Sequence, residues 1–273
     1  MDPIEKVVIG KDIGDDLIGR IKERFPWLDI VTCSDEAEQD ACISDADVLL
    51  TRIVPKDPTS APRLKWVHFI WEGVDSMSRK FVESDVILTN SSGAHTDHIA
   101  EHVFSYLLAL SRKSTMYGKY QERGEWLLWH DQPELRKLHG SKIGVVGYGR
   151  IGRAVAKIAN GFSMDVLALK RNPKKIQQDK NQTGARYDVK GGIPKEFYGP
   201  DDLCKMLGMC DHVVLSIPLT DETRDMFGEK EFMAMKRSAF FINVGRGELV
   251  DEEALISALD EKWIGGAGLD VFR

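Results

Sequence analysis

Short apolar runs alternate with segments of helical spacing along the whole chain. Lys6–Gly10 (KVVIG) reads as a strand, and Asp12–Phe25 as a helix with Ile13, Leu17, Ile18 and Ile21 on one face and Pro26 behind it. Further strands are expected at Asp29–Thr32, Asp47–Arg52, Lys65–Ile70 and Val86–Asn90. Their apolar runs carry no regular polar alternation, as in strands buried on both faces. Strands alternating with helices imply an α/β fold with parallel sheets and crossover helices. One long helix is predicted from about Asp97 to Tyr120, its broad apolar face built from Ile99, Ala100, Val103, Phe104, Leu107, Leu108 and Leu110. A loop containing Trp126, Trp129 and Pro133 leads to a second alternating region. Strands are expected there at Lys142–Val146, Asp165–Leu169, His212–Ile217, Ala239–Val244 and Gly266–Val271. Asn172–Pro200, charged and containing Gly and Pro, reads as an inserted surface loop. The expected domains are 1–96 and 97–273, with a cleft between them.

Composition narrows the function classes. Of 273 residues, 42% are hydrophobic and 29% charged, an ordinary globular balance. A formal net charge of −6 argues against a nucleic-acid partner. No apolar run approaches the roughly 18 residues of a membrane span. The start, MDPIEKVVIGKD, lacks a basic segment followed by a long apolar one, so a cytoplasmic protein is expected. Cys33, Cys42, Cys204 and Cys210 form no C-x-x-C pair and read as free thiols.

The candidate chemistry begins at Lys142–Gly152 (KIGVVGYGRIG). An apolar strand runs into Gly147-Tyr148-Gly149-Arg150-Ile151-Gly152, and helical spacing follows through Ala154, Val155, Ile158 and Ala159. In that context G-x-G-x-x-G is a dinucleotide fingerprint. Gly147 permits the tight turn, Gly149 lets the backbone approach a pyrophosphate, and Gly152 lets helix pack on strand. The helix start then offers N–H groups and a positive dipole end to the phosphates. An acidic residue about 20 positions on would bind the ribose 2′-hydroxyl of NAD. Lys170 stands there instead, followed by Arg171. Two cations favour a 2′-phosphate, so NADP(H) is expected in preference to NAD(H).

Five further segments occur in a fixed order: Gly73-Val74-Asp75, His98-Ile99-Ala100-Glu101-His102, Leu215–Thr220 with Glu222-Thr223, Asn243–Asp251, and Gly266–Phe272. Together they resemble the D-isomer-specific 2-hydroxyacid dehydrogenases, from about Leu49 onward and densely after Leu138. The resemblance implies a flavodoxin-like first domain and a Rossmann NAD(P)-binding second domain lacking its last elements. It implies hydride transfer between the cofactor and a small D-2-hydroxy or 2-oxo acid, and it supports a homodimer through the long apolar helix after Asp97, whose hydrophobic surface exceeds what one domain is expected to bury. Arg246, between two glycines after an apolar strand, sits where ligands bind in open parallel sheets and can grip a carboxylate in bidentate fashion. The resemblance gives the matching arginine this role, against the plainer reading of a turn arginine paired with Asp251. By the same resemblance, Gly73 and Val74 offer backbone N–H groups to the substrate carboxylate. Ile217, Pro218, Thr223 and Val244 line the cofactor, and Asp270 bonds the nicotinamide carboxamide. Trp71-Glu72 departs from the small residue usual before G-V-D, and a carboxylate there is unfavourable unless it points away.

His95, His98, Glu101 and His102 could suggest a metal, but the segment matches the opening of the family's long helix, and no metal is expected. The family's general-acid histidine and its glutamate partner lie in segments that would follow Phe272. A chain ending at Arg273 is therefore expected to turn over poorly. The alternative is a catalytically dead dinucleotide-binding protein or a non-functional fragment.

Overall fold

The computed structural model describes residues 3–11, 13–74, 77–128, 130–174, 187–188 and 190–273. The chain divides into two compact units, one up to His95 and one from Thr96 to Arg273.

The first unit runs β1 (Lys6–Ile9), α1 (Asp15–Arg24), β2 (Asp29–Thr32), α2 (Glu36–Cys42), β3 (Val48–Thr51), β4 (Trp66–Phe69), α3 (Arg79–Val82) and β5 (Ile87–Asn90). All strand pairs are parallel, in the order β2-β1-β3-β4-β5, which is the flavodoxin-like order. Val8, Leu49 and Val67 pack with Ile43 and Phe81 on one face; Val7, Ile9 and Val48 pack with Ile18 and Ile21 of α1 on the other. The start of β3 is fastened by Asp47, whose buried carboxylate accepts from the Glu5 and Lys6 amides and from Lys65 Nζ. Burial alone would raise this carboxyl, but the hydrogen bonds from Lys65, Lys6 and Glu5 hold it well below the usual range. Asp12, the expected first residue of the first helix, lies outside the described residues; α1 starts at Asp15 with Gly14 as its N-cap.

The second unit opens with α4 (Thr96–Arg112) and α5 (Ser114–Glu122). It continues through β6 (Lys142–Val146), α6 (Arg150–Gly161), β7 (Asp165–Leu169), β8 (Glu196–Tyr198), α7 (Leu203–Met209) and β9 (His212–Leu215). α8 (Glu229–Ala234), β10 (Phe240–Asn243), α9 (Glu252–Asp260) and β11 (Gly266–Leu269) complete the order. Its sheet is parallel, β11-β10-β9-β6-β7-β8. Counted from β6, that is the 3-2-1-4-5-6 order of the Rossmann fold. β9 and β10 are buried at every position, which is why they read as unbroken apolar runs.

Two expectations are corrected. The single long helix is two helices, because Lys113 adopts a left-handed conformation (φ 56°) and the Ser111 carbonyl accepts the Arg136 N–H. No Gly or Pro marks that break. The supposed loop Asn172–Pro200 contains β8, which pairs with β7 through Leu167↔Glu196 to Leu169↔Tyr198. Three residues between Pro194 and Pro200 give too short a run to show a period. Residues 175–186 and 189 of that segment lie outside the described residues. Among the described residues no helix is long and apolar enough to cross a membrane.

Candidate active site

Register builds the site. Val146 is level with Leu169 and with Leu215, Leu215 with Asn243, and Asn243 with Leu269. The residues that leave the carboxyl ends of five neighbouring strands therefore form one row: Lys170, Gly147, Ser216, Val244 and Asp270. Ligands of open parallel sheets bind at that edge.

At the centre of the row the Gly147–Gly152 turn has the shape a pyrophosphate needs. Gly147 has φ 101°, and a Cβ there would lie 2.6 Å from Ser216 O. A Cβ on Gly152 would lie 2.1 Å from Gly147 O. At Gly149, by contrast, a Cβ would meet nothing within 4 Å, so this side of the turn is open. Gly149 is the N-cap of α6 and, being glycine, brings no side chain of its own to the helix start. Two glycines are thus demanded by packing, and the third leaves room over a helix N-terminus, a fit to a dinucleotide phosphate. Arg150 and Ile151 form the first residues of α6.

The residues around this turn hold it from several sides. Ser216 Oγ donates to Gly147 O at 3.1 Å. Tyr148, buried, donates to Asp188 Oδ2 at 2.6 Å, and Asp188 also accepts from the Gly192 and Ile193 amides. The buried Arg153 guanidinium lies 5.1 Å from the Tyr148 ring centre and donates to Asp188 O. Burial alone would raise the Asp188 carboxyl; the hydrogen bonds from Tyr148, Ile193 and Gly192, with Arg153 nearby, keep it below its ordinary range. Sequence reasoning missed this network, because Asp188 lies in a segment without periodicity. Beside it, Lys170 is half-buried, and burial, then the Arg153 charge, lower its pKa. Arg171 is exposed, 3.7 Å from Glu222.

Ile217 touches the glycine turn, its Cγ2 lying 2.7 Å from where a Gly147 Cβ would be. Its carbonyl oxygen lies 3.1 Å from the corresponding point on Gly245, so the Arg246 loop adjoins it. Thr223 Oγ1 donates to Pro218 O and accepts from Thr220 N, closing the 218–223 turn. Val244 is buried beneath the row. Buried Asn243 organises the next loop: its Oδ1 accepts from Gly245 N, its Nδ2 donates to Arg246 O, and its carbonyl accepts from Asp270 N. Arg246 is half-buried, and its Nη1 donates to Gly245 O at 2.7 Å. The Asp251 carboxylate is engaged elsewhere, capping α9 through the Glu253 and Ala254 amides. Asp270 Oδ1 lies 3.4 Å from His102 Nε2.

In the first unit, Gly73 and Val74 follow β4 at its carboxyl end; Asp75 lies outside the described residues. The Glu72 carboxylate is engaged by backbone: its Oε1 accepts the His95 N–H at 2.6 Å, while Asn90 Nδ2 donates to its carbonyl. Among the described residues no group of three or more His, Cys, Asp or Glu side chains gathers as a metal site.

A glycine turn on a six-stranded parallel sheet, with cations and a carboxylate along the same edge, defines a nicotinamide-dinucleotide-binding protein. The profile of the family described as "D-isomer specific 2-hydroxyacid dehydrogenase, NAD binding domain" matches residues 104–273. The glyoxylate reductase of Thermococcus onnurineus is 35% identical over 281 residues, spanning 98% of this chain and 79% of the relative. That of Pyrococcus furiosus is 36% identical over 241 residues, spanning 85% and 67%. A D-isomer-specific 2-hydroxyacid dehydrogenase from Xanthobacter autotrophicus Py2, solved with NADPH and MES, superposes with a TM-score of 0.79 at 26% identity. The superposition covers 99% of this chain and 82% of that one. The chain belongs to the D-isomer-specific 2-hydroxyacid dehydrogenase family, whose members are nicotinamide-linked oxidoreductases. These likenesses lend no support to a catalytically dead alternative.

Proposed function

We propose that this protein transfers hydride between NADP(H), in preference to NAD(H), and a small 2-oxo or D-2-hydroxy acid, with glyoxylate the first substrate to try. The observation that carries the reading is the row of strand ends, which sets the phosphate turn, two cations, Arg246 and Asp270 along one edge. Residues 97–273 are the cofactor domain and 1–96 the substrate-side domain. Gly147, Gly149, Arg150, Ile151 and Gly152 take the pyrophosphate. Lys170 and Arg171 take the 2′-phosphate, and because Arg171 and Glu222 form an exposed pair, releasing Arg171 costs little. Ile217, Pro218, Thr223 and Val244 line the nicotinamide half, whose carboxamide donates to Asp270. Arg246 is assigned the grip on the substrate carboxylate, drawing charge from the adjoining carbonyl, and Gly73 and Val74 are assigned backbone N–H donors to substrate. When bound, the reduced cofactor would supply hydride to the carbonyl carbon, and the oxygen would take its proton from water, no side chain being assigned as the donor. The glyoxylate suggestion rests on the names of the relatives, and the NADP preference on Lys170 and Arg171. We also place the protein in the cytoplasm, as four free thiols suit a reducing compartment.

Calorimetric titration of NADPH and NADH at equal ionic strength tests the cofactor assignment. NADPH is expected to bind about tenfold or more tightly, and Lys170→Glu to remove most of that difference. Tighter binding of NADH by the parent chain overturns the NADP preference and leaves the dinucleotide site standing.

A further inference from the structure

α4 carries two aromatic side chains one turn apart, His102 and Tyr106, on the helix face that meets β11. They hold β11 in two ways. Tyr106 OH donates to Leu269 O at 2.9 Å, and a Cβ on Gly268 would lie 2.7 Å from the Tyr106 ring, so the ring rests on the strand backbone. The His102 and Tyr106 rings meet edge to face, with centres 4.5 Å apart. That contact directs His102 Nε2 to within 3.4 Å of Asp270 Oδ1. Burial, then the Asp270 charge, push the Tyr106 hydroxyl above its ordinary range, so it stays a donor. The Asp270 backbone is fixed independently by its N–H bond to Asn243 O.

We infer that His102 is a positioning residue, held by Tyr106, that orients the Asp270 carboxylate toward the nicotinamide end of the cofactor. The inference rests on the assignment of Asp270 to the nicotinamide carboxamide. A surface contact whose partners are both more than two-fifths exposed contributes little to folding. Its consequence lies in geometry. An aspartate on a strand end can rotate about χ1 and χ2, and a carboxylate that must meet one amide gains affinity when those rotations are already restricted. Glu101 precedes His102 and Ser105 follows, but neither is placed on Asp270, so His102 is the residue of this helix that reaches the carboxylate among the described contacts.

The test compares two ligands that share every part except the nicotinamide ring: NADPH and 2′-phospho-ADP-ribose. Dissociation constants are measured by calorimetry for the parent chain, His102→Ala, His102→Gln and Asp270→Asn. His102→Ala should weaken NADPH about three- to tenfold and leave 2′-phospho-ADP-ribose unchanged. His102→Gln, which keeps an N–H donor, should recover most of the loss, and it also serves if the alanine variant does not fold. Equal weakening of both ligands would make His102 a purely structural residue and overturn the inference. So would an unchanged ratio in His102→Ala alongside a changed one in Asp270→Asn. An unchanged ratio in Asp270→Asn would instead overturn the role given to Asp270 itself.

Discussion

At the start of β9, His212 is 3% exposed, its ring 5.6 Å from that of Phe240, and its Nδ1 is buried without a hydrogen-bond partner among the described residues. Burial drives its pKa down from 6.5 to about 4. The folded chain therefore holds the ring neutral where the unfolded chain would protonate it. Stability from this residue is full above pH 6.5 and is lost as pH falls from 6.5 to 4, by about 3 kcal/mol in all. Urea midpoints measured across that window should fall with pH, and His212→Leu should flatten the fall. An equally steep fall in the variant would mean that other groups carry it. Asp57 acts lower down: hydrogen bonds from Lys80 and Thr59 bring its carboxyl to about 2, so its contribution disappears only below the ordinary aspartate range. The two effects separate on the pH axis.

At the scale of elements, α4 spends most of its apolar stripe inside its own unit. Ala100, Val103, Phe104 and Leu107 are buried against α6 and the sheet, which leaves Leu108 as the exposed large residue of the helix. The segment after α5 is different, since Trp126 is 88% and Leu128 52% exposed. Exposed large apolar side chains close together in the chain are a candidate contact surface. With the family resemblance, they support the proposed homodimer. Analytical ultracentrifugation should give twice the chain mass, and Trp126→Asp with Leu128→Asp should halve it; a monomeric parent chain would refute the assembly. Trp129, read as part of the same loop, lies outside the described residues.

What the sequence made legible at this scale follows from period and length. β6, β7, β9 and β10 are buried on both faces, so each appears as an uninterrupted apolar run with little ambiguity. The glycine turn was equally clear, because Gly147 and Gly152 are positions where backbone crowding forbids a side chain. β8 was hidden by its length, and the α4–α5 break by a tertiary cause, the capture of the Ser111 carbonyl by Arg136. The pairings of Asp188 with Tyr148 and of His102 with Asp270 were invisible for the same reason. Each joins residues far apart along the chain, and no local pattern reports such a pairing.

For the whole molecule, the relevant fact is that each unit owns its core. Val8, Leu49, Val67 and Phe81 serve the first, and Val146, Val213, Leu215 and Phe241 the second. Differential scanning calorimetry should resolve two transitions. NADPH at 100 times its dissociation constant should stabilise the unit from Thr96 onward by about 2.7 kcal/mol and leave the other transition in place. Equal displacement of both would show that the units unfold as one.

Asn243 carries a consequence for the order of events at the site. Its side chain and carbonyl fix the loop of Arg246 and the backbone of Asp270 together, so neither can be ordered without ordering the other. A ligand that immobilises Arg246 has then already met part of the entropic cost of immobilising Asp270. Under the roles proposed for Arg246 and Asp270, linkage would make the benefit reciprocal: an acid held by Arg246 would tighten the dinucleotide by the same factor by which the dinucleotide tightens the acid. One residue, through its side-chain amide on one loop and its main-chain carbonyl on the next, thereby ties the Arg246 loop to the Asp270 backbone.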